Sequence, residues 1–389
     1  MSTAPSLVDA LALATAVVDD LVVATARDTH EAIARRAHGV VRRGVGPAAL
    51  PAEVLHRGIA ATVYGAVGLS FRGASRGLAR LAEREVGPAL ESGPRGRFVN
   101  AAVNGLIGDE LRRDRPRLAI EMAVRRDGRD VPLTRDGVAE AFPGASGRIV
   151  VFLHGLCENE DCWRRHRDRL GSTYGESLAA RGWTPVYLRA NTGLPLRENG
   201  VALASVMQRL VDAWPTALTR IALVGHSLGG LVMRASSAVV AEDAGSAEWT
   251  RLVSDVVTLG TPHLGSWFAA GADHASRTLA RAPEAAAFGR IIDRQAPGIH
   301  DLIEGLAQDV PALPHARYRL VSATLTRSAR HPLARAVGDL LVTPRSAVGR
   351  DRHGIELFPD AEVLHLGRTG HFGLLNHPDV HAALARWLA

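Results

Sequence analysis

Lysine is absent from this chain. All 46 basic side chains are arginines, set against 40 acids for a formal net charge of +6. A basic balance invites a nucleic-acid or membrane-surface partner. Here the arginines are interleaved with acids, as in "RRHRDRL" (164–170) and "LAEREV" (81–86), and form no patch. No nucleic-acid partner is expected. Cysteine is almost as scarce: Cys157 and Cys162 are too few for a secreted disulfide framework, leaving two free thiols or one local bridge. Aromatics make up only 5% of the residues, so the core must be packed mainly from small and aliphatic side chains. No long hydrophobic run stands out. The N-terminal stretch lacks a basic leader, and Asp9, Asp19 and Asp20 interrupt it, which argues against a signal peptide or a membrane span. A cytoplasmic location is expected, with the N-terminal helices open to peripheral membrane contact. No group of His, Asp and Glu has calcium or zinc spacing, so neither metal nor cofactor is expected.

What is present is a change of period from Arg117 onward. Residues 1–108 read as helices. Leu7, Leu11, Ala14, Val18, Leu21 and Ala24 form one apolar stripe, and Glu31 and Arg35 have the spacing of a helical ion pair. A second helix starting near Pro51 places Leu55, Ile59, Val63 and Ala66 on one face, with Gly58, Gly65 and Gly68 allowing close approach. Residues 109–389 read as an α/β domain. "RLAIEMAVRRDGRDVPL" turns at Asp127-Gly128 as a hairpin does. Short apolar runs follow at 149–153, 184–188, 221–225, 256–260, 318–325 and 361–366, most of them separated by helical lengths. Buried strands alternating with helices imply a mostly parallel sheet covered on both faces. Residues 267–313 exceed what a crossover needs and suit a cap or lid.

Two serines lie in G-x-S-x-G. "GASRG" (73–77) holds Ser75 in a charged helical stretch with no strand before it, and is read as incidental. "IALVGHSLGG" (221–230) places Ser227 after a buried strand and before a helical run. Strand, sharp turn and helix make a nucleophile elbow, with Gly225, His226 and Gly229 around the serine. A serine hydroxyl needs a base and a group to orient it. Sought after the last two strands, the acid falls on Asp339 in "AVGDLLVTPRSA" and the base on His371, behind Gly370. Asp301 lies on the wrong side of the strand; Asp351 and Asp360 are the main competitors for the acid, and His377 and His381 for the base. An acyl intermediate also needs two preorganised N–H donors. The backbone amides of Leu228, after the nucleophile, and of Leu156, after His154-Gly155, occupy those places.

"LHGL", "YLRANTG", "GHSLGG", "LGTPHLGS", "GDLLVTPRSA" and "GHFGLLNHPDV" in this order give the chain from about Arg117 onward its likeness. It resembles the α/β-hydrolases, and within them the bacterial triacylglycerol lipases and the lipase-like GPI inositol-deacylase group. The resemblance implies Ser227, Asp339 and His371 as nucleophile, acid and base, with Leu156 and Leu228 as oxyanion donors. Leu340 stands where the family usually has glycine, and Ala190 where a larger residue is common, which implies a wider pocket. The expected function is hydrolysis of carboxylic esters, with lipid-like acyl chains as substrates. An acyltransferase or amidase would use the same residues. A membrane-peripheral interaction protein with a vestigial hydrolase fold is the alternative from another class.

Overall fold

The apolar runs read as strands are strands. The computed structural model describes residues 5–18, 50–82, 84, 87–242, 248–265, 297, 298, 301, 310, 312–331, 338–351 and 356–389, together with residues 27, 30, 31 and 34. They fall into two compact units, one up to Val103 and one from Asn104 onward.

The first unit is helical: α1 (Leu7–Val18), α2 (Leu50–Ala82) and the start of α3 (Pro94–Asp114). Ser6 caps α1. Its Oγ accepts from the Asp9 amide at 3.2 Å, and the Asp9 carboxylate accepts from the Ser6 amide at 2.8 Å. The packed faces differ from the expected ones. Ala10, Ala12 and Val17 are the buried apolar residues of α1, whereas Leu7, Leu11 and Ala14 are half-buried. On α2, Ile59, Val63 and Ala66 are exposed and Ala60 is buried; a Cβ on Gly58 or Gly65 would meet nothing. Alanine surfaces let backbones come close, as the 3.0 Å bond from Ser75 Oγ on α2 to the Ala12 carbonyl shows. Ser75 is therefore a helix–helix contact. Leu21, Ala24 and Arg35 lie outside the described residues, as does nearly all of the expected cap at 267–313.

The second unit is built on one eight-stranded sheet. Its strands are β1 (Ala123–Arg126), β2 (Arg129–Asp130), β3 (Arg148–Leu153), β4 (Thr184–Arg189), β5 (Arg220–His226), β6 (Val253–Leu259), β7 (Arg317–Thr324) and β8 (Glu362–Gly367). Their order is β2-β1-β4-β3-β5-β6-β7-β8. The β1–β2 hairpin turns through Asp127 and Gly128, both at positive φ, and pairs antiparallel to β4; all the other pairings are parallel.

Alternate residues of each strand feed two cores. Ile149, Val151 and Leu153 of β3 meet Val138 of α4 (Arg135–Ala141), Leu203 and Met207 of α6 (Leu196–Ala213) and Leu231 of α7 (Leu228–Glu242). Val150 and Phe152 meet Tyr174 of α5 (Tyr174–Ala179), Trp163 and, from the final helix α8 (Pro378–Trp387), Leu384. Both faces of the sheet are thus dry, which is why its strands read as continuous apolar runs. Among the described residues no helix is long and apolar enough to cross a membrane.

Near the start of β6 the fully buried Asp255 accepts from Arg220 at 2.9 Å, Arg319 at 2.8 Å and Ser254 Oγ at 2.6 Å. It ties three adjacent strands together at the end opposite the candidate site. Asp255→Asn leaves these guanidinium groups without their charge partner and is expected to cost about 3–5 kcal/mol. The midpoint of urea unfolding reads this loss, and an unchanged midpoint would show the cluster to be dispensable.

Candidate active site

β5 ends at His226 and α7 begins at Leu228, so Ser227 is the entire connection between them. A reversal of one residue forces the backbone into the left-handed region, and Ser227 has φ 52°. For an L-residue this costs about 1–2 kcal/mol. Three hydrogen bonds hold it there. The Ser227 amide donates to the Leu259 carbonyl at 2.9 Å, and its carbonyl accepts from the Gly230 amide at 3.1 Å and from Thr261 Oγ1 at 3.0 Å. The flanking glycines are steric requirements. A Cβ on Gly225 would lie 2.6 Å from the Gly230 nitrogen, and one on Gly229 would lie 2.3 Å from the Leu153 carbonyl oxygen.

The loop after β3 passes alongside this turn. Gly155 is close enough that a Cβ there would sit 3.0 Å from Ser227 Cβ. His154 is fully buried, and burial lowers its pKa. Its Nδ1 faces the Gly155 carbonyl at 2.9 Å, and its Nε2 accepts from the Ala190 amide at 3.1 Å, which fixes the neutral Nδ1–H tautomer. The loop amides are nearly all used. Gly155 donates to Glu158 Oε2 at 3.0 Å, Cys157 to Thr192 Oγ1 at 3.1 Å and Glu158 to the Gly155 carbonyl at 3.2 Å. The Leu156 amide is the exception. It has no hydrogen-bond partner among the described residues, and neither has the amide of Leu228, which as the first residue of α7 has no acceptor within the helix.

Asp339 and His371 meet on loops beyond β7 and β8. His371 Nδ1 lies 2.8 Å from Asp339 Oδ2, and the His371 amide donates to the Asp339 carbonyl at 3.0 Å. Asp339 Oδ1 accepts from the amides of Leu341 at 3.0 Å and Val342 at 2.8 Å. Both side chains are buried. The His371 ring lies 4.8 Å from the ring of His226, and a Cβ on Gly260, next to the residue that holds the Ser227 amide, would lie 3.1 Å from His371 Cε1. Acid, imidazole and serine therefore gather at the carboxyl ends of β5, β6, β7 and β8. No hydrogen bond joins Ser227 Oγ to the imidazole, a contact that often tightens only when substrate binds.

The carboxylate that reaches His371 is that of Asp339. Asp301 Oδ2 accepts from the Leu196 amide at 2.5 Å, capping α6, while Asp351 is half-buried and Asp360 is exposed. His377 caps α8, and His381 faces Ser177 at 3.1 Å. Neither cysteine is in a disulfide. Burial, reinforced by the Glu158 charge, pushes Cys157 up to about 12 and Cys162 well above the ordinary thiol range, which favours the unreactive thiol over the thiolate at both. Among the described residues no three His, Cys, Asp or Glu side chains are grouped to hold a metal ion.

Residues 145–277, from the start of β3 past the elbow, match the family described as "Putative serine esterase (DUF676)". The match spans about a third of the chain and takes in β3, the elbow and β6. The chain is similar to the mature lipase BlEst2 of Bacillus licheniformis, with 19% identity over 62% of this chain and 92% of that one and a TM-score of 0.45. It is also similar to an esterase of Pyrococcus furiosus, with 15% identity over 62% and 82% of the two chains and a TM-score of 0.40. An esterase of Rhodococcus sp. aligns at 15% identity over 63% and 91%, with a TM-score of 0.36.

Two features of the site were not singled out in the sequence. Glu158 is buried with Oε2 2.8 Å from His226 Nδ1, and its only advance signal is an acid cluster directly behind an apolar strand, in "LHGLCENEDCW". Burial opposes its charge, but His226 and the Gly155 amide outweigh that and hold its pKa at about 2 against an ordinary 4.5. Thr261 is the other, bonded to the Ser227 carbonyl.

Two expectations follow. Because the folded pKa of Glu158 is depressed, the stability it contributes is full above pH 4.5 and lost as pH falls toward 2. Acid unfolding of Glu158→Gln, followed by circular dichroism, should therefore show a shallower pH dependence in that window; an identical slope would contradict this. Leu340 sits at φ 93° with its side chain half exposed, so Leu340→Gly is expected to gain about 1 kcal/mol in urea unfolding. A loss would mean that packing of the leucine outweighs its backbone strain.

Proposed function

We propose that the protein is a serine hydrolase that cleaves carboxylic esters of lipid-like acyl chains through an acyl-enzyme on Ser227. The observation that carries this reading is the 2.8 Å bond from His371 Nδ1 to Asp339 Oδ2, at the same edge of the sheet as the strained turn. With Nδ1–H committed to the carboxylate, the lone pair of the imidazole is on Nε2, so the ring is held as a base. Ser227 Oγ attacks the acyl carbon while Nε2 takes its proton. The carbonyl oxygen gains charge and is received by the amides of Leu156 and Leu228, at the positive end of α7. Nε2–H then protonates the leaving alcohol. Water enters, gives its proton to the same nitrogen and releases the acid, restoring the serine.

The substrate class rests on the rim. Leu325, Leu340, Leu341 and Phe372 are large hydrophobics that are 36–52% exposed. They flank Asp339 and His371 in sequence, or reach that loop through the Leu325 amide, which donates to the Gly338 carbonyl at 3.1 Å. An apolar border of this kind favours an acyl chain over a small polar group.

Two measurements test the reading. Rates on p-nitrophenyl esters from acetyl to palmitoyl should rise toward medium and long chains, whereas a sharp preference for acetyl would contradict a lipid-like substrate. Asp339→Asn should lower kcat by about 10³–10⁴-fold with KM little changed, because the Leu341 and Val342 amides hold the amide oxygen, its NH2 donates to Nδ1, and the proton is then left on Nε2, the nitrogen that must act as base. A kcat within tenfold of wild type would remove Asp339 from the mechanism.

A further inference from the structure

Glu158 is a buried carboxylate that the proposed reaction does not consume. It belongs to the loop carrying the Leu156 amide, yet its Oε2 reaches across to the turn carrying Ser227. That one oxygen accepts from the Gly155 amide at 3.0 Å and lies 2.8 Å from His226 Nδ1. The other oxygen, Oε1, is buried without a hydrogen-bond partner among the described residues. An unpaired carboxylate oxygen in a dry interior is costly, so a purely structural tie would be better made by a neutral group. The loop is anchored at its other end, through His154 to Ala190 and Cys157 to Thr192. Glu158 is the side chain that fixes its separation from the elbow. His226 completes the link: it is fully buried, its ring packs on that of His371 at 4.8 Å, and its Nε2 faces the His371 carbonyl at 3.4 Å.

We propose that Glu158 is the positioning residue of the oxyanion hole, clamping the loop 154–158 to the nucleophile turn through His226. The inference rests on the reading of Ser227, Leu156 and Leu228 given above. The two oxyanion donors come from separate elements, one after β3 and one after β5. Their separation matters only when the carbonyl oxygen is charged and must be met by both. Glu158 spends its carboxylate on the Gly155 and His226 donors, which leaves the Leu156 amide unengaged and aligned. A loosened clamp therefore weakens transition-state stabilisation and leaves ground-state binding alone.

The test uses the full chain with Glu158→Gln, Glu158→Asp, His226→Asn and the double variant Glu158→Gln/His226→Asn. Each is assayed on p-nitrophenyl butyrate and against a trifluoromethyl ketone, whose serine adduct places an oxyanion in the hole. The Glu158→Gln and His226→Asn variants should lose about 10²-fold in kcat with KM within about twofold, and should bind the ketone more weakly by a similar factor. The double variant should be no worse than the poorer single, because the two residues act as one unit. Glu158→Asp keeps the charge but is one methylene too short to reach both donors, so it should fall with Glu158→Gln.

A kcat for Glu158→Gln within about threefold of wild type, a rise in KM in place of the fall in kcat, or additive losses would each overturn the clamp. An active Glu158→Asp beside an impaired Glu158→Gln would overturn it in favour of charge alone. Should Glu158→Gln fail to fold, Glu158→Asp and His226→Asn carry the same kcat-against-KM comparison. The two readings fail separately. Undiminished turnover in Ser227→Ala sinks the nucleophile and the hole with it, whereas turnover lost in Ser227→Ala and kept in Glu158→Gln sinks only the clamp.

Discussion

The reversal of the chain at Ser227, from the end of β5 into the first turn of α7 with a single residue at φ 52°, is the constraint on which the rest of the site depends. A longer connection would relieve the strain and let the hydroxyl drift. The short one fixes it above the sheet and leaves the Leu228 amide without an intrahelical acceptor. The cost is met by the neighbours: β3 and β6 run parallel on either side of β5, and Leu259 at the end of β6 takes the Ser227 amide. Because β3 is adjacent, its own exit loop arrives beside the turn, and Leu156 comes with it. The acid and the imidazole arrive from β7 and β8, further along the same edge. Strand order thus converts residues far apart in the chain into one cluster.

Much of this was legible in the sequence for a plain physical reason. Strands buried on both faces must be continuously apolar, so "IVVFL", "IALVG" and "VVTLG" declare themselves, and a glycine-bracketed serine directly after one of them has few other readings. The rival Ser75 lacked the strand and turned out to sit in α2, bonded to a backbone carbonyl. The placement of Asp339 and His371 followed from counting strands, and the structure puts those two side chains in contact.

The helical unit was less legible. Its stripes of larger apolar residues suggested buried faces, whereas α1 buries mainly its alanines and α2 leaves Ile59 and Val63 exposed. Where small residues set the approach distance, hydrophobic periodicity misleads. Glu158 was hidden for a different reason: its role depends on a partner, His226, 68 positions away, and no spacing rule connects them. Leu340 illustrates a third case. The backbone there has the positive φ that suits glycine, so the loop keeps its shape while the side chain bears the strain and adds apolar surface to the rim.

The account's central claim is that the hydroxyl of Ser227 forms the covalent bond to the acyl group. Mass mapping of the protein after treatment with a fluorophosphonate tests it most directly, since that reagent forms a stable phosphonyl ester on an activated serine. The account predicts a single adduct on the peptide containing Ser227, abolished by Ser227→Ala and strongly slowed when His371 is replaced by alanine. Modification at another residue, or labelling of Ser227 that persists unchanged without the His371 imidazole, would contradict it.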